Sequence, residues 1–117
     1  MTEPKRIYVA GPYSDETRQG RYRNTVKAMN VGLALMDMGH YPFIPHLTHF
    51  LDEHATLEYA EVDYEEWIDY DEEWLRQCDW FYIIGPSPGV NQELEIAREL
   101  DMEVFETIGQ VPNVTDK

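Results

Sequence analysis

Two carboxylates, Asp71 and Glu93, occupy positions where burial is expected. Glu93 lies just inside a helical pattern running from about Val90 to Leu100. It shares a face with Ile96, Ala97 and Leu100, while Glu95, Arg98 and Glu99 point elsewhere. Asp71 sits on a stripe with Trp67, Trp74 and Cys78 at helical spacing, flanked by Tyr70 and Leu75. Glu65, Asp69, Glu72, Glu73 and Arg76 take the solvent side. Each acid has an ordinary explanation when taken alone. A glutamate near a helix start is favoured by the helix dipole, and an amphipathic pattern can fray toward its end. An unpaired buried carboxylate is costly, however, so Asp71 must be hydrogen-bonded, protonated or facing a cavity. Together the acids match what cleavage of a glycosidic bond requires: one group attacks or stabilises the anomeric carbon and the other handles protons.

The elements that must position them centre on Gly85-Pro86-Ser87-Pro88-Gly89, which joins the apolar run Trp80–Ile84 to the Val90–Leu100 helix. An aromatic and β-branched run closed by Gly and Pro reads as a buried strand ending in a turn. Ser87 suits the helix cap and Pro88 the first helical position. A second strand and turn, Arg6–Ala10 followed by Gly11-Pro12-Tyr13-Ser14, opens the chain. Asp15–Gly20 reads as a loop. A helix follows from about Arg21 or Asn24 to Met38, with Val26, Met29, Asn30, Leu33 and Asp37 in register and Ala34, Leu35 and Met38 widening the apolar side; Gly39 ends it. Tyr41–Pro45 reads as a short edge strand. His46–Tyr59 has no clear pattern beyond a helical turn, a strong helix covers about Glu61–Gln77, a last strand spans Met102–Phe105, and the tail from Gly109 reads as frayed.

Strands alternating with helices predict an α/β domain: a Rossmann-like or flavodoxin-like three-layer sandwich around a mostly parallel sheet of four or five strands. Ligands in such sheets bind beyond the carboxyl ends of the strands, where strand order reverses. That places Gly11–Ser14 beside Gly85–Glu93.

The 117 residues predict one domain, 1–117, with its core at about 6–106. Hydrophobic residues at 43% and aromatics at 13% fit a globular protein. No apolar run is long enough to cross a bilayer, no signal-peptide pattern opens the chain, and the single Cys78 excludes an internal disulfide, so a cytoplasmic location is expected. A net charge of -14 argues against a nucleic-acid polymer as partner, and it also suits a soluble or salt-adapted surface. Six of the nine basic residues fall in the first 27 positions, whereas Asp52–Glu73 carries eleven acids. A small anionic ligand would therefore meet the N-terminal segment.

Other constellations are weaker. His46, His49 and His54 with Asp52 and Glu53 form a list of metal-ligating types without the spacing of a defined site, so no metal is expected, and polar loop residues or substrate contacts are the alternative. Gly11–Ser14 lacks the glycines of a Walker or dinucleotide fingerprint, so no cofactor is expected. Cys78 has no basic neighbour and reads as a core residue.

Three strings in order, Ile7-Tyr8-Val9-Ala10-Gly11-Pro12-Tyr13-Ser14, Asp71-x-x-Trp74-Leu75-x-x-Cys78-Asp79 and Ser87-x-Gly89-Val90-x-x-Glu93-Leu94, resemble the nucleoside 2-deoxyribosyltransferase superfamily over about residues 6–106. Within it the chain is most similar to the small deoxynucleoside monophosphate N-glycosidases and to uncharacterised relatives. The resemblance implies a flavodoxin-like fold, a homodimer, and hydrolysis or transfer at the N-glycosidic bond of a nucleoside or nucleoside 5′-monophosphate. By position it implies Glu93 as the nucleophile on C1′, Asp71 as the carboxylate assisting the base, and Tyr8 as a tyrosine beside the nucleophile. It further implies Ser87, Gly89 and Gly11, Pro12, Tyr13 and Ser14 as the cradle for the 5′ end. Relatives acting on unphosphorylated nucleosides tend to carry an acid where this chain has Ser87, so serine resembles the monophosphate hydrolases, and Arg18, Arg21 and Arg23 agree with a phosphate. Segment 46–63 resembles the uncharacterised branch instead. A non-catalytic nucleotide-binding or sensing domain on the same fold is the alternative, although such a domain needs no pair of inward acids. Aromatics around Tyr59, Tyr64 and Trp67 are the expected dimer surface.

Overall fold

The computed structural model describes residues 2–58 and 62–114, with the side chains of His49 and of 56–58 outside that description. The described residues form, in order, β1 (Arg6–Ala10), α1 (Arg18–Asp37), β2 (Tyr41–Phe43), α2 (Thr48–Glu58), α3 (Tyr64–Leu75), β3 (Trp80–Ile83), α4 (Pro88–Glu99) and β4 (Glu103–Phe105). The sheet has the order β2-β1-β3-β4 and every neighbouring pair is parallel. Strand order reverses between β1 and β3, as expected for a flavodoxin-like order. The fold is the α/β three-layer, Rossmann-like sandwich that the alternation of strands and helices predicts.

β1 lies inside the sheet, and Ile7, Tyr8, Val9 and Ala10 are all fully buried, which is why the strand reads as a continuous apolar run. Ile7 and Val9 pack with Ala28 and Leu35 of α1 on one face. Tyr8 and Ala10 pack with Leu75 of α3 and Val90 and Ala97 of α4 on the other.

α1 corrects two expectations. It begins at Arg18, not at Arg21 or Asn24, because Thr17 caps it: the Thr17 side chain accepts from the Gly20 N–H, and Asp15 Oδ1 in turn accepts from the Thr17 N–H and hydroxyl. Its buried stripe is Thr25, Ala28, Gly32 and Leu35 rather than Val26, Met29, Asn30, Leu33 and Asp37, and Leu33 is 62% exposed. Close approach outweighs apolar content here. A Cβ on Gly32 would lie 2.3 Å from Ile44 Cδ1, so a larger residue here would require the tip of the Ile44 side chain to move. The buried Thr25 hydroxyl is satisfied by donating to the Arg21 carbonyl.

The patternless middle segment folds as a 3₁₀ turn, Pro45–Leu47, leading into α2. α3 is capped by Asp63, whose side chain accepts from the Glu66 N–H; the expected start at Glu61 lies outside the described residues. Its inward face runs through Asp71 to Leu75, while Trp74 (46% exposed) and Tyr70 (41%) sit outward, contrary to the expected stripe. Trp74 is held there by stacking on Phe43, with ring centroids 5.5 Å apart. Cys78 is half-buried beside the Tyr8–Phe81 cluster, as expected of a packing residue, and burial pushes its thiol up to about 11. Among the described residues no helix is long and apolar enough to cross a membrane.

The tail is not frayed through residue 114. Ile108–Gln110 forms a 3₁₀ turn, Val111 enters the core, and the Val114 N–H bonds the Met38 carbonyl. His40 is the staple: buried to 2% exposure, it accepts from the Lys5 N–H at Nδ1 and so donates from Nε2 to the Pro112 carbonyl at 2.7 Å. His40→Leu removes both bonds and leaves the Lys5 N–H and the Pro112 carbonyl without that partner. The expected loss is about 1–3 kcal/mol of unfolding free energy in urea denaturation.

Candidate active site

The carboxyl ends of β1 and β3 open onto a cavity of about 560 Å³, a size suited to a nucleoside-sized ligand. Its floor is the turn Gly11–Ser14 after β1 and the start of α4, Ser87–Val90. Its side wall comes from the 3₁₀ turn, α2 and α3. Gly11 allows the first turn to close against β3, since a Cβ there would meet Ile84 Cβ at 2.9 Å. Ser87 caps α4 through its Oγ, which accepts from the Val90 N–H at 3.1 Å, and Pro88 occupies the first turn. That cap sets the helix so that Glu93, one turn in, faces the cavity.

Three groups converge. Tyr8 is wholly buried in β1, stacked on Phe81, and its hydroxyl donates to Glu93 Oε2. Burial and then the adjacent Glu93 push the phenol far above its ordinary range, so Tyr8 stays protonated and remains a donor. Burial raises Glu93 to about 7, opposed by the Tyr8 hydrogen bond, which favours the carboxylate. Asp71, on the neighbouring helix, is also raised to about 7, by burial first and by the charge of Glu93 second. Its Oδ1 is buried without a hydrogen-bond partner. Among the described residues Asp71 has no counterpart to the phenol that holds Glu93. Near neutral pH the pair therefore favours an ionised Glu93 beside a protonated Asp71.

The residues expected from sequence thus divide. Glu93, Asp71, Gly11, Pro12, Tyr13, Ser14, Ser87 and Gly89 all line the cavity, and Tyr8 touches it through Glu93. Arg21 does not line it. Its guanidinium donates to the Asp15 carbonyl at 2.9 Å, near enough to Tyr13 to oppose the rise that burial imposes on that phenol. Arg18 is paired with Glu53 at 3.0 Å. Arg18 therefore ties α1 to α2, and Arg21 ties α1 to the loop before it.

Sequence reasoning missed the side wall. Tyr64 and Trp67 line the cavity with Ile68 and Asp52, and Tyr59, grouped with them in the expected dimer surface, lies outside the described residues. The Trp67 Nε1–H donates to Asp52 Oδ1 at 2.8 Å, tying α3 to α2. Helical spacing already puts Trp67 one turn before Asp71 on the same face, but it carries no sign of the Asp52 contact. His46 also lines the cavity, buried to 4% exposure, with Nε2 against the Pro12 carbonyl at 3.1 Å and its ring edge-on to Tyr13. Among the described residues no three His, Cys, Asp or Glu side chains gather as metal ligands.

Among curated proteins no sequence matches the chain. From residue 5 to residue 107 it matches the sequence profile of a family described as a domain of unknown function, DUF7768, and it belongs to that family.

Proposed function

We propose that the protein breaks the N-glycosidic bond of a deoxynucleoside or nucleoside 5′-monophosphate, by hydrolysis or transfer, with Glu93 as nucleophile. One observation carries the reading: two half-buried carboxyls on adjacent helices, coupled in charge and split in environment by the Tyr8 hydroxyl, line the same cavity. Pairs of acids whose surroundings separate their roles are the signature of acid and nucleophile assignments. The likeness to nucleoside 2-deoxyribosyltransferases in the three motifs supports the same assignment.

In this mechanism the ionised Glu93 attacks C1′ as the C1′–N bond breaks. The bonding pair departs with the base, which takes the Asp71 proton. The glycosyl ester on Glu93 is then opened by water or by a second base, and the Asp71 carboxylate accepts the proton released. Positive charge developing on the sugar is stabilised by Glu93 throughout. Tyr8 holds the carboxylate in its attacking orientation. Tyr8→Phe keeps the ring packing and removes one donor, with an expected loss of about 10–100-fold in kcat.

The test is incubation with a panel of deoxynucleosides and their 5′-monophosphates, followed by chromatography for free base. Release of base supports the reading. Binding without release favours the sensing domain instead.

A further inference from the structure

The long helix α1 carries an apolar row that its own fold does not bury. Tyr22, Val26, Met29, Leu33 and Met36 follow one another at alternating steps of four and three residues, the repeat of a helix that pairs with another helix. Tyr22, Leu33 and Met36 are exposed, and Val26 and Met29 are half-buried. Among the described residues, α1 gives the core Ala28, Val31, Leu35 and Met38, and none of the five joins either core cluster. Single exposed apolar side chains are ordinary, but a row along a 20-residue helix, about 30 Å long, marks a contact surface.

The residues beside the row identify what covers it. Its outer flank is Arg23, Asn30 and Asp37, one heptad apart and all exposed. Read in either direction this flank is cation, neutral, anion, so a reversed copy of it is its own complement. An antiparallel second α1 sets Arg23 opposite the partner's Asp37 and Asn30 opposite the partner's Asn30. The same register layers Val26 on the partner's Met36 and Met29 on the partner's Leu33. A parallel copy would instead set Arg23 beside the partner's Arg18, a repulsive pair. Asp37 lies in the last turn of α1, where the helix dipole disfavours an acid and no basic residue offsets it, so a facing cation gives it a partner.

We propose that the flank of α1 is a docking surface for a second copy of this chain, packed antiparallel about a two-fold axis near Asn30. This surface differs from the one expected around Tyr64 and Trp67. It is also independent of the glycosidic reading, because α1 packs on the Ile7 and Val9 face of the sheet while the cavity helices α3 and α4 pack on the other.

The experiment is sedimentation equilibrium of the full chain. The wild type should approach twice the mass of one chain by about 100 μM. Leu33→Glu alters a position that is exposed in the monomer, so the circular dichroism of the fold should be unchanged while association weakens by about 30-fold or more. Arg23→Asp and Asp37→Arg should each weaken association about 5–10-fold by facing like charges, and the double variant should return to within about threefold of the wild type. Arg23 also acts on Asp15 of its own chain, an effect that Asp37→Arg cannot repair, so recovery in the double variant reports the pairing itself. Should Leu33→Glu lose its fold, the charge series still decides. A wild type that stays monomeric, an assembly that persists in a folded Leu33→Glu, or a double variant no better than either single one would overturn the proposal.

Discussion

Glu93→Gln is expected to reduce base release by about 10³-fold or more, because it removes the carboxylate that forms the covalent bond to C1′. The fold should survive. The amide oxygen of the substituted side chain can still accept from Tyr8, and the substitution removes a charge that burial disfavours, as the rise of Glu93 to about 7 shows. Thermal unfolding at pH 8 should therefore place the variant at or above the wild type, so that lost activity cannot be ascribed to lost structure. A variant that is folded and turns over at near-normal rates would remove Glu93 from the chemistry.

Asp71→Asn carries the second large effect, and it separates stability from activity. In the folded chain Asp71 is raised from 3.8 to about 7, so between those values the folded state holds a proton that the unfolded state has released. Stability contributed by this group is therefore greatest at the acid end, declines as pH rises through that window, and above about 7 becomes a constant penalty. Asparagine never ionises and escapes the penalty. The variant should be more stable than the wild type at pH 8 by about 1–3 kcal/mol, a figure reduced for the solvent that reaches this half-buried side chain. The difference should shrink toward zero near pH 4, which chemical denaturation at the two pH values measures. Activity should move the other way, falling by about 10²–10³-fold because the leaving base receives no proton. The wild-type rate should fall on the alkaline side as Asp71 loses its proton, and that limb should be absent from the residual rate of the variant. A buried acid that weakens the fold at the pH where it functions is the trade expected of a reactive site.

How much of this is legible in the sequence depends on the range of the forces involved. β1 and β3 were readable because a strand buried on both faces must be apolar throughout, and Ile7–Ala10 and Trp80–Ile83 are. The start of α4 was readable because capping is local: Ser87 and Pro88 act within one turn. The inward direction of Asp71 and Glu93 followed from helical spacing alone. What failed depended on distant partners. The face that α1 buries carries the small residues Thr25, Ala28 and Gly32, which an apolar count does not register. The order of the tail depends on His40 reaching Pro112 across 72 positions of sequence. The cavity side wall needs Asp52 and Trp67, fifteen residues apart on two helices, to meet. The arginines were legible as a cluster, but their engagement by Glu53 and the Asp15 carbonyl was not.

The nucleophilic role of Glu93 is tested most directly by trapping the intermediate. A 2′-deoxy-2′-fluoro nucleoside slows both steps by destabilising positive charge on the sugar, and a good leaving base restores the first step so that the glycosyl-enzyme accumulates. Intact-mass spectrometry of the wild-type protein should then show one added fluorosugar, and peptide mapping should place it on Glu93, with Glu93→Gln unlabelled. Base released from ordinary substrates without any adduct, or an adduct on another residue, would contradict the account.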